Sequence, residues 1–252
     1  HTICSSGRCP NMGECWERGT ATFMIAGDIC TRSCKFCNTK TGKPLPLDLN
    51  EPEHVARSIK VMKLNHAVIT SVDRDDLPDL GAAHWVNTIL KVKEINPDTK
   101  IEVLIPDFQG EQDLIDKVCV AKPDVISHNM ETIKRLTPQI RSAAKYNVSL
   151  SVLKRIAENG ILAKSGIMLG LGESKEEILE LMDDLLAVGC SSLTMGQYLQ
   201  PSRKHLPVSE YIHPDVFQEL KVIALEKGFD HVESGPLVRS SYHADNMFAG
   251  KE

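Results

Sequence analysis

The sequence has no long apolar run, no excess of basic residues and no internal repeat. Because no stretch approaches the ~20 apolar residues of a membrane-spanning helix, we expect no membrane partner. The 29 basic and 34 acidic residues give a net charge of −5. This balance argues against nucleic acid or an anionic membrane as the main partner, since both attract basic surfaces.

The chain also lacks an initial methionine and begins at His1. We therefore expect a trimmed chain with any targeting segment outside it. The expected location is the cytoplasm, or a mitochondrion or plastid if the source is eukaryotic. A chain of 252 residues suits one large α/β domain or two small ones, and it can bury roughly three-quarters of its unfolded surface without cross-links.

Cysteine is unevenly distributed, since six of the eight residues lie between Cys4 and Cys37. A disulfide framework is not expected, because such frameworks stabilise small secreted domains that lack a core. Cys119 and Cys190 stand alone in apolar surroundings. We predict that these two are small buried hydrophobic residues.

Strand-like and helix-like segments alternate after residue 20. Runs rich in β-branched and apolar residues predict six strands, at 21–27, 66–72, 100–107, 124–130, 162–169 and 191–198. Between them, apolar residues recur at helical spacing, roughly so at Val55, Ile59, Val61 and Met62. A helix is predicted to begin after Ser174 and to end at Gly189, as an N-cap and a C-cap.

Six strands, each followed by a helix, predict an α/β fold, namely a partial (β/α)6 TIM-like barrel of parallel strands. Residues 21–200 would form the barrel, with residues 1–20 and 201–252 as extensions. Chemistry should lie at the carboxyl ends of the strands. Polar clusters occur there, at 70–76, 128–131, 170–173 and 197–200. Helix caps and turns are the alternative explanation for any single cluster.

Two groups of three cysteines carry the strongest chemical signal. The first is Cys4, Cys9 and Cys15, and the second is Cys30, Cys34 and Cys37. Three thiolates on one short loop can hold three irons of a cubane cluster and leave the fourth open for a substrate. Structural zinc is the alternative, but it usually needs four ligands in paired spacings, and the second group offers a single C-x2-C.

The motifs resemble those of a known family. Segment 30–37, CTRSCKFC, resembles the C-x3-C-x-aromatic-C motif of the radical S-adenosylmethionine (SAM) superfamily. Segment 4–15, CSSGRCPNMGEC, resembles the auxiliary-cluster motif of lipoyl synthases, and segment 239–244, RSSYHA, resembles their R-S-S-Y-x-A signature. Segments 70–76 and 196–201 also read like this family. The resemblance extends from Cys4 to Ala244.

The resemblance implies two 4Fe–4S clusters. In this family the C-x3-C-x2-C cluster binds SAM at its open iron, which assigns the ligands Cys30, Cys34 and Cys37. Phe36 would lie near the adenine, with a core aromatic as the alternative. The auxiliary cluster would be held by Cys4, Cys9, Cys15 and Ser241, with Ser240 the less favoured serine. The extensions carrying these ligands would then close over the barrel mouth and exclude water.

Further SAM contacts follow from the same resemblance. Segment 166–173 is similar to the G-x-I-x-G-x-x-E adenine-binding strand, with Met168 as a departure, and contributes Gly170 and Glu173. Asn129 and Glu131 suit the ribose hydroxyls. Thr70, Ser71 and Asp73 occupy the place of the usual Gly-Gly-Glu motif. Arg74 and Arg239 are substrate candidates by location. A structural salt-bridge and cap network is the alternative for Asp73, Arg74 and Asp76.

The implied activity is insertion of two sulfur atoms, at C6 and C8 of a protein-bound octanoyl-lysine. A 5′-deoxyadenosyl radical from SAM would remove hydrogen, and the auxiliary cluster would be consumed as the sulfur source. Implied partners are octanoylated lipoyl carrier domains (the glycine cleavage H protein and acyltransferase subunits of 2-oxoacid dehydrogenases) and a one-electron donor such as ferredoxin or flavodoxin. The alternatives are another sulfur-inserting radical SAM enzyme, such as a methylthiotransferase, and a non-enzymatic iron–sulfur electron carrier.

Overall fold

The computed structural model describes residues 2–6 and 9–248 of the chain. Gly7 and Arg8, which are spacers in the first cysteine motif, lie outside the described residues, as do His1 and residues 249–252. The strands are β1 Thr20–Ile25, β2 Ile29–Cys30, β3 Lys40–Thr41, β4 His66–Ser71, β5 Lys100–Leu104, β6 Val125–Ser127, β7 Leu162–Leu169, β8 Ser192–Gln197 and β9 His231–Gly235.

Helices fill most of the connections between these strands. They are α1 Ile3–Ser6, α2 Met12–Glu17, α3 Glu51–Met62, α4 Ala82–Ile95, α5 Gln112–Val120, α6 Thr137–Ile140, α7 Tyr146–Glu158, α8 Lys175–Ala187 and α9 Pro214–Lys227, with 3-10 turns at Phe108–Gly110 and Ala244–Phe248. Among the helices of residues 2–6 and 9–248, none has the length and apolar character needed to cross a bilayer.

Seven strands form one sheet in the order β1-β4-β5-β6-β7-β8-β9. The pairs β1–β4, β4–β5, β7–β8 and β8–β9 are parallel. The predicted parallel α/β fold is confirmed, and its six predicted strands are β1 and β4 to β8. No strand pairing joins β9 back to β1 within the described part of the chain, so hydrogen bonds do not close the sheet.

Strand β9 was not predicted from the sequence. Its segment HVESG carries a single large apolar residue, Val232. Only Val232 and Ser234 are buried, because the strand pairs at the end of the sheet order and alternates between a covered and a more open side. A short polar edge strand of this kind gives little hydrophobic signal.

The chain divides into two compact units by its internal contacts. The first comprises residues 1–32, 39–126 and 243–252, and the second comprises residues 33–38 and 127–242. The division into an N-terminal extension (1–20), a barrel (21–200) and a C-terminal extension (201–252) remains a prediction.

In the first unit, strands β1, β4 and β5 are buried along most of their length. The register places Phe23 beside Ile69, and Ile69 beside Val103, all at most 3% exposed. Helices α3 and α4 pack against each other. The expectation for Val61 needs correction, since it is 82% exposed while Ile59 is fully buried. Two residues turn a helix by about 200°, so these side chains face opposite directions.

In the second unit, helix α8 begins as predicted. Ser174 Oγ accepts from Glu177 N at 3.3 Å, while the Glu177 carboxylate accepts from Ser174 N at 2.9 Å, which is a complete capping box. Gly189 follows the C-cap with a φ of +82°, a conformation that favours glycine. Cys190, like Cys119 of the first unit, is buried as predicted. Burial raises the pKa of the Cys190 thiol to about 12.

Candidate active site

The amino-terminal cysteines gather in the first unit. Cys4 lies in α1 and Cys15 in α2, both buried, and Cys9 N donates to Cys4 O at 3.0 Å. Burial, followed by the electrostatic influence of Cys9 and Cys4, raises the pKa of Cys15 to about 11. The three thiols are therefore close enough to influence one another before any metal is bound.

Cys30 ends the short strand β2 and is half-buried. Its sulfur accepts hydrogen bonds from Arg32 N at 3.4 Å and Asp73 N at 3.3 Å. The Cys30 thiol also contacts Asp73 Oδ2 at 3.6 Å. The Cys30 sulfur thus lies where two backbone N–H groups point at it, an arrangement that suits a sulfur ligand of iron once the thiol has lost its proton.

Arg32 organises the loop around Cys30. Its guanidinium makes two bonds to the Asp75 carboxylate, at 2.7 and 2.8 Å, and one to Asp107 at 2.8 Å. Asp73 lies 3.4 Å away. Burial alone would lower the pKa of Arg32, but the hydrogen bonds that its guanidinium donates to Asp75 and Asp107 outweigh burial and raise the pKa. The side chain is 7% exposed, so one buried positive charge serves three carboxylates.

Two of these carboxylates respond in opposite ways. Burial raises the pKa of Asp73, against the opposing attraction of Arg32. The hydrogen bond from Arg32 lowers the pKa of Asp75. Thr31 connects the segment at Cys30 to the loop after β4, since its N–H and hydroxyl both donate to Asp73 O. The segment from Cys30 to Arg32 is thus fixed to the end of β4.

Thr70 and Arg74, at the end of β4 and in the loop after it, have structural partners. Thr70 and Ser71 end β4 and are half-buried, and the Thr70 hydroxyl donates to Leu104 O at 3.3 Å. Arg74 is buried, pairs with Asp76 at 2.8 and 2.9 Å, and donates to Ala26 O at 3.1 Å. The structural-network alternative therefore describes the arrangement of Arg74 and Asp76.

The second unit contains the other half of the cysteine loop. Cys34, Phe36 and Cys37 are half-buried, and Cys37 N donates to Cys34 O at 3.1 Å. Phe36 is therefore not a core aromatic.

A strap formed by residues 202–212 holds this half of the loop. Leu206 N donates to Lys35 O at 3.1 Å, and His205 Nε2 lies 3.1 Å from Cys37 O. Because a carbonyl only accepts, His205 must carry a proton on Nε2, and its Nδ1 lies 2.8 Å from the Ser202 hydroxyl.

Asn129 and Glu131 follow β6 in the second unit. Asn129 Nδ2 donates to Glu131 Oε1 at 3.1 Å, whereas Asn129 Oδ1 is buried with no hydrogen-bond partner in the described structure. Glu131 has a φ of +65°, which is unusual for a non-glycine residue and is found where a site dictates backbone conformation. Burial raises the pKa of Glu131, although the charge of Arg141 opposes this.

Gly166 on β7 leaves space beside Asn129. A Cβ at residue 166 would lie 2.7 Å from Thr194 Oγ1 and 3.0 Å from Asn129 Oδ1. Asn129 Oδ1 is a buried acceptor beside the space that Gly166 leaves, an arrangement that suits the binding of a ligand hydroxyl group.

We expect Gly166→Ala to weaken SAM binding by about tenfold or more, because the added methyl displaces Asn129 or Thr194 at an overpacking cost of about 1–3 kcal/mol. Calorimetric titration of the anaerobic protein with SAM measures this. Gly42→Ala is the matched control, since its Cβ would meet Ile29 at an ordinary 3.6 Å. Unchanged SAM affinity in Gly166→Ala would contradict the assignment.

The glycine-rich loop after β7 is shaped by its own polar groups. Gly170 has a φ of +92°, and a Cβ there would collide with Gln197 Nε2 and Glu210 O. Glu173 accepts hydrogen bonds from Gly170 N and Leu171 N, at 2.5 and 2.9 Å. The Glu173 carboxylate is thus engaged by the loop backbone, which it holds in shape.

The RSSYHA segment begins in the second unit, beyond β9. Arg239 donates to Val238 O at 2.7 Å, and Tyr242 N closes a turn on Arg239 O at 2.9 Å. Ser240 and Ser241 are half-buried.

The donor chemistry of these residues fits the implied cofactors. All eight cysteines lie in the described residues and none is in a disulfide. Cys30 receives the N–H bonds that a cluster thiolate needs, and Asn129 Oδ1 is an unused acceptor for a ribose hydroxyl. Within the described residues no three His, Cys, Asp or Glu side chains converge as they would around a single ion. The residues therefore fit the cofactors by the chemistry of their donor atoms, not by a preformed metal-binding geometry.

Comparison with known proteins identifies the family. The family model of the radical SAM superfamily matches residues 24–185. Lipoyl synthase from Parabacteroides distasonis is 70% identical over 245 residues, which cover 97% of this chain and 87% of that protein. Lipoyl synthase from Treponema denticola is 62% identical, with coverage of 97% and 84%. The chain belongs to the lipoyl synthase family. The methylthiotransferase and electron-carrier alternatives gain no support from these lipoyl synthases.

Solved structures share the fold of this lipoyl synthase family member. Streptococcus suis SuiB bound to S-adenosylmethionine has a TM-score of 0.68 at 12% identity, covering 91% of this chain and 54% of SuiB. The chain thus spans about half the length of SuiB. Methylornithine synthase has a TM-score of 0.61 at 14% identity, covering 84% of this chain and 70% of that enzyme. At these identities the likeness shows the radical SAM fold alone.

Several residues of the site were not predicted from the sequence. Arg32, Asp107, Arg141 and His205 make contacts that depend on tertiary structure. Arg32 lies inside the cysteine motif, and Asp107 is the last residue of a predicted strand. Their positions in the sequence therefore indicated a role in the site only weakly. No sequence signal pointed to His205, because its partner is a backbone carbonyl distant in the chain.

Proposed function

We propose that this chain is a lipoyl synthase that inserts two sulfur atoms, at C6 and C8 of a protein-bound octanoyl-lysine. The observation that carries the proposal is the presence of both cysteine triads in a chain 70% identical to lipoyl synthase along nearly its full length. One triad explains SAM chemistry, and the other explains the origin of the sulfur.

The two triads have different tasks in this proposal. When bound, SAM at a reduced cluster supplies one-electron chemistry that removes hydrogen from unactivated C–H bonds, and the auxiliary cluster supplies sulfide. Cys30, Cys34 and Cys37 are the proposed ligands of the first cluster. Cys4, Cys9, Cys15 and Ser241 are the proposed ligands of the second. A serine oxygen is a harder ligand than thiolate and matches a sulfide-rich iron less well, which suits a cluster that is dismantled during the reaction.

The protein residues around SAM would bind and orient it. Asn129 and Glu131 offer an acceptor and a carboxylate to the ribose hydroxyls, and Gly166 leaves room for them. The residues proposed to lie near the amino group of SAM remain Thr70, Ser71 and Asp73. Phe36 remains the proposed adenine neighbour, with Gly170 and Glu173 forming the adenine loop.

The substrate side is proposed from chemistry alone. Arg239 remains a candidate for contact with the octanoylated carrier. Arg74 remains a candidate by location, although its guanidinium already binds Asp76 and Ala26 O. The proposed partners are octanoylated lipoyl carrier domains and a one-electron donor of the ferredoxin or flavodoxin type. The proposed location is the cytoplasm, as the relatives named above are bacterial.

Metal analysis of anaerobically purified protein tests the proposal. We expect about eight irons and eight sulfides per chain, four of each for every cubane cluster. Addition of reductant, SAM and an octanoylated carrier peptide should yield 5′-deoxyadenosine and lipoylated peptide. Stoichiometric zinc with negligible iron would overturn the proposal, as would SAM cleavage without sulfur insertion into the peptide.

A further inference from the structure

The last described segment of the chain is tied to helix α2 by polar contacts within the first unit. Arg18 Nη2 lies 2.6 Å from Asp245 Oδ2 and 2.7 Å from Asn246 Oδ1, and Arg18 Nε lies 3.2 Å from Asp245 Oδ2. His243 Nε2 lies 2.7 Å from Glu14 Oε1. Ala244 and Met247 of the same segment are buried. These polar contacts, made by Glu14 and Arg18 with His243, Asp245 and Asn246, are named the clasp.

The clasp lies on both sides of a proposed cluster ligand. Glu14 immediately precedes Cys15, and Arg18 follows it by less than one helical turn. The segment from His243 to Asn246 is therefore fixed to the part of the chain that presents Cys15.

The backbone conformation of this segment depends on such contacts. His243 has a φ of +49°, a left-handed conformation that costs a non-glycine residue free energy. Such a residue persists when its surroundings fix it in place, and here the Glu14 carboxylate and the buried Ala244 do so.

We infer that the clasp retains the auxiliary cluster, by restricting the chain segment that carries its serine ligand. This inference rests on the proposed function. Ser241 precedes His243 by two residues, so the chain allows at most about 7 Å between their Cα atoms. Because a serine oxygen binds iron weakly compared with thiolate, its occupancy depends on its effective concentration at the metal, which falls when the segment is loosened. Arg18, Asp245, Glu14 and His243 are thus positioning residues.

A charge-reversal experiment tests the clasp. The parent protein carries Cys30→Ala, Cys34→Ala and Cys37→Ala, so that only the auxiliary cluster can form. In this parent, Arg18→Glu places a carboxylate against Asp245, and Asp245→Arg added to it restores an attractive pair. The readout is the anaerobic rate of iron release to a ferrous chelator, followed by the loss of cluster absorption.

We expect Arg18→Glu to accelerate iron release about fivefold, the factor that corresponds to about 1 kcal/mol for a partly exposed ion pair. The doubly reversed variant should return to within about twofold of the parent. Arg57→Glu is the matched control, since Arg57 pairs with Glu53 at 2.6 Å on the exposed face of α3, and it should release iron at the parent rate. The clasp is disproved if Arg18→Glu matches Arg57→Glu, or if reversing Asp245 restores nothing.

The two proposals fail in different ways in this experiment. A parent protein that binds no iron and sulfide would disprove the auxiliary triad and with it the proposed function. If the parent holds a cluster and its rate of iron release does not depend on the Arg18–Asp245 pair, the clasp alone is disproved. Circular dichroism of each variant establishes that the comparison is made between folded proteins.

Discussion

Alanine at Cys30 should abolish SAM cleavage, whereas alanine at Cys9 should leave SAM cleavage intact and abolish sulfur insertion. Cys30 is a proposed ligand of the cluster that binds SAM, so its loss removes the source of every later step. Cys9 belongs to the other triad, whose cluster is proposed to supply only the sulfur. Formation of 5′-deoxyadenosine and of lipoylated peptide, measured in the same reaction, separates the two effects.

In Cys30→Ala we expect the formation of both products to fall to the uncatalysed background, because no amino-acid side chain breaks an unactivated C–H bond. Cys119→Ala is the matched control, since Cys119 is buried in α5 away from both triads in sequence and should retain both products. Lipoylated peptide from the Cys9→Ala protein would show that the sulfur comes from elsewhere. Loss of SAM cleavage in Cys9→Ala would show that the triads do not act separately.

The fold was predictable where hydrophobic pattern and local caps agree. Buried parallel strands give continuous apolar runs, and β7 was predicted with its observed bounds, Leu162–Leu169. The capping box at Ser174 fixed the start of α8. Strand β9 escaped prediction because its polar sequence is selected by pairing at the sheet edge rather than by burial of a hydrophobic face.

The site was predictable where chemistry imposes spacing, as in the two cysteine triads. It was not predictable where a side chain acts on a distant backbone or charge. His205 reaches Cys37 O, and Arg141 reaches Asn129 O and Met130 O, through folding alone. Arg74 illustrates a third case, because its position among polar loop residues suggested substrate contact while the structure pairs it with Asp76.

Replacing Arg32 by glutamine should destabilise the protein by about 3 kcal/mol and impair cluster assembly at Cys30. Removing one partner of a buried ion pair leaves its counter-charges uncompensated, at a cost of about 3–5 kcal/mol. The lower end applies because Asp75 is 26% exposed, although Asp107 is 3% exposed. We expect a fall of roughly 6–12 °C in the thermal midpoint and iron content reduced toward that of the auxiliary cluster alone.

The comparison protein for this prediction is Arg135→Gln. Arg135 makes the same two-bond contact with Glu177, at 2.7 and 2.9 Å, but is 54% exposed. Exposed pairs contribute about 0–1 kcal/mol, so its thermal midpoint should fall by a few degrees at most. Equal effects of the two substitutions would show that burial of the Arg32 network does not matter.

The pH dependence of the Arg32→Gln defect follows from the same network. The pKa of Asp75 is lowered in the native protein, first by its hydrogen bond from Arg32. A lowered carboxyl pKa contributes stability above the unfolded-state pKa, and this contribution is lost as the pH falls through the folded-state pKa. Arg32→Gln lacks it, and its uncompensated carboxylates are relieved by protonation. The gap in thermal midpoint between the native protein and Arg32→Gln should therefore stay nearly constant from about pH 8 to about pH 5 and narrow as the pH falls from about 5 to about 3. A gap that stays constant or widens over that acid range would show that the guanidinium charge does not stabilise the loop that carries Cys30.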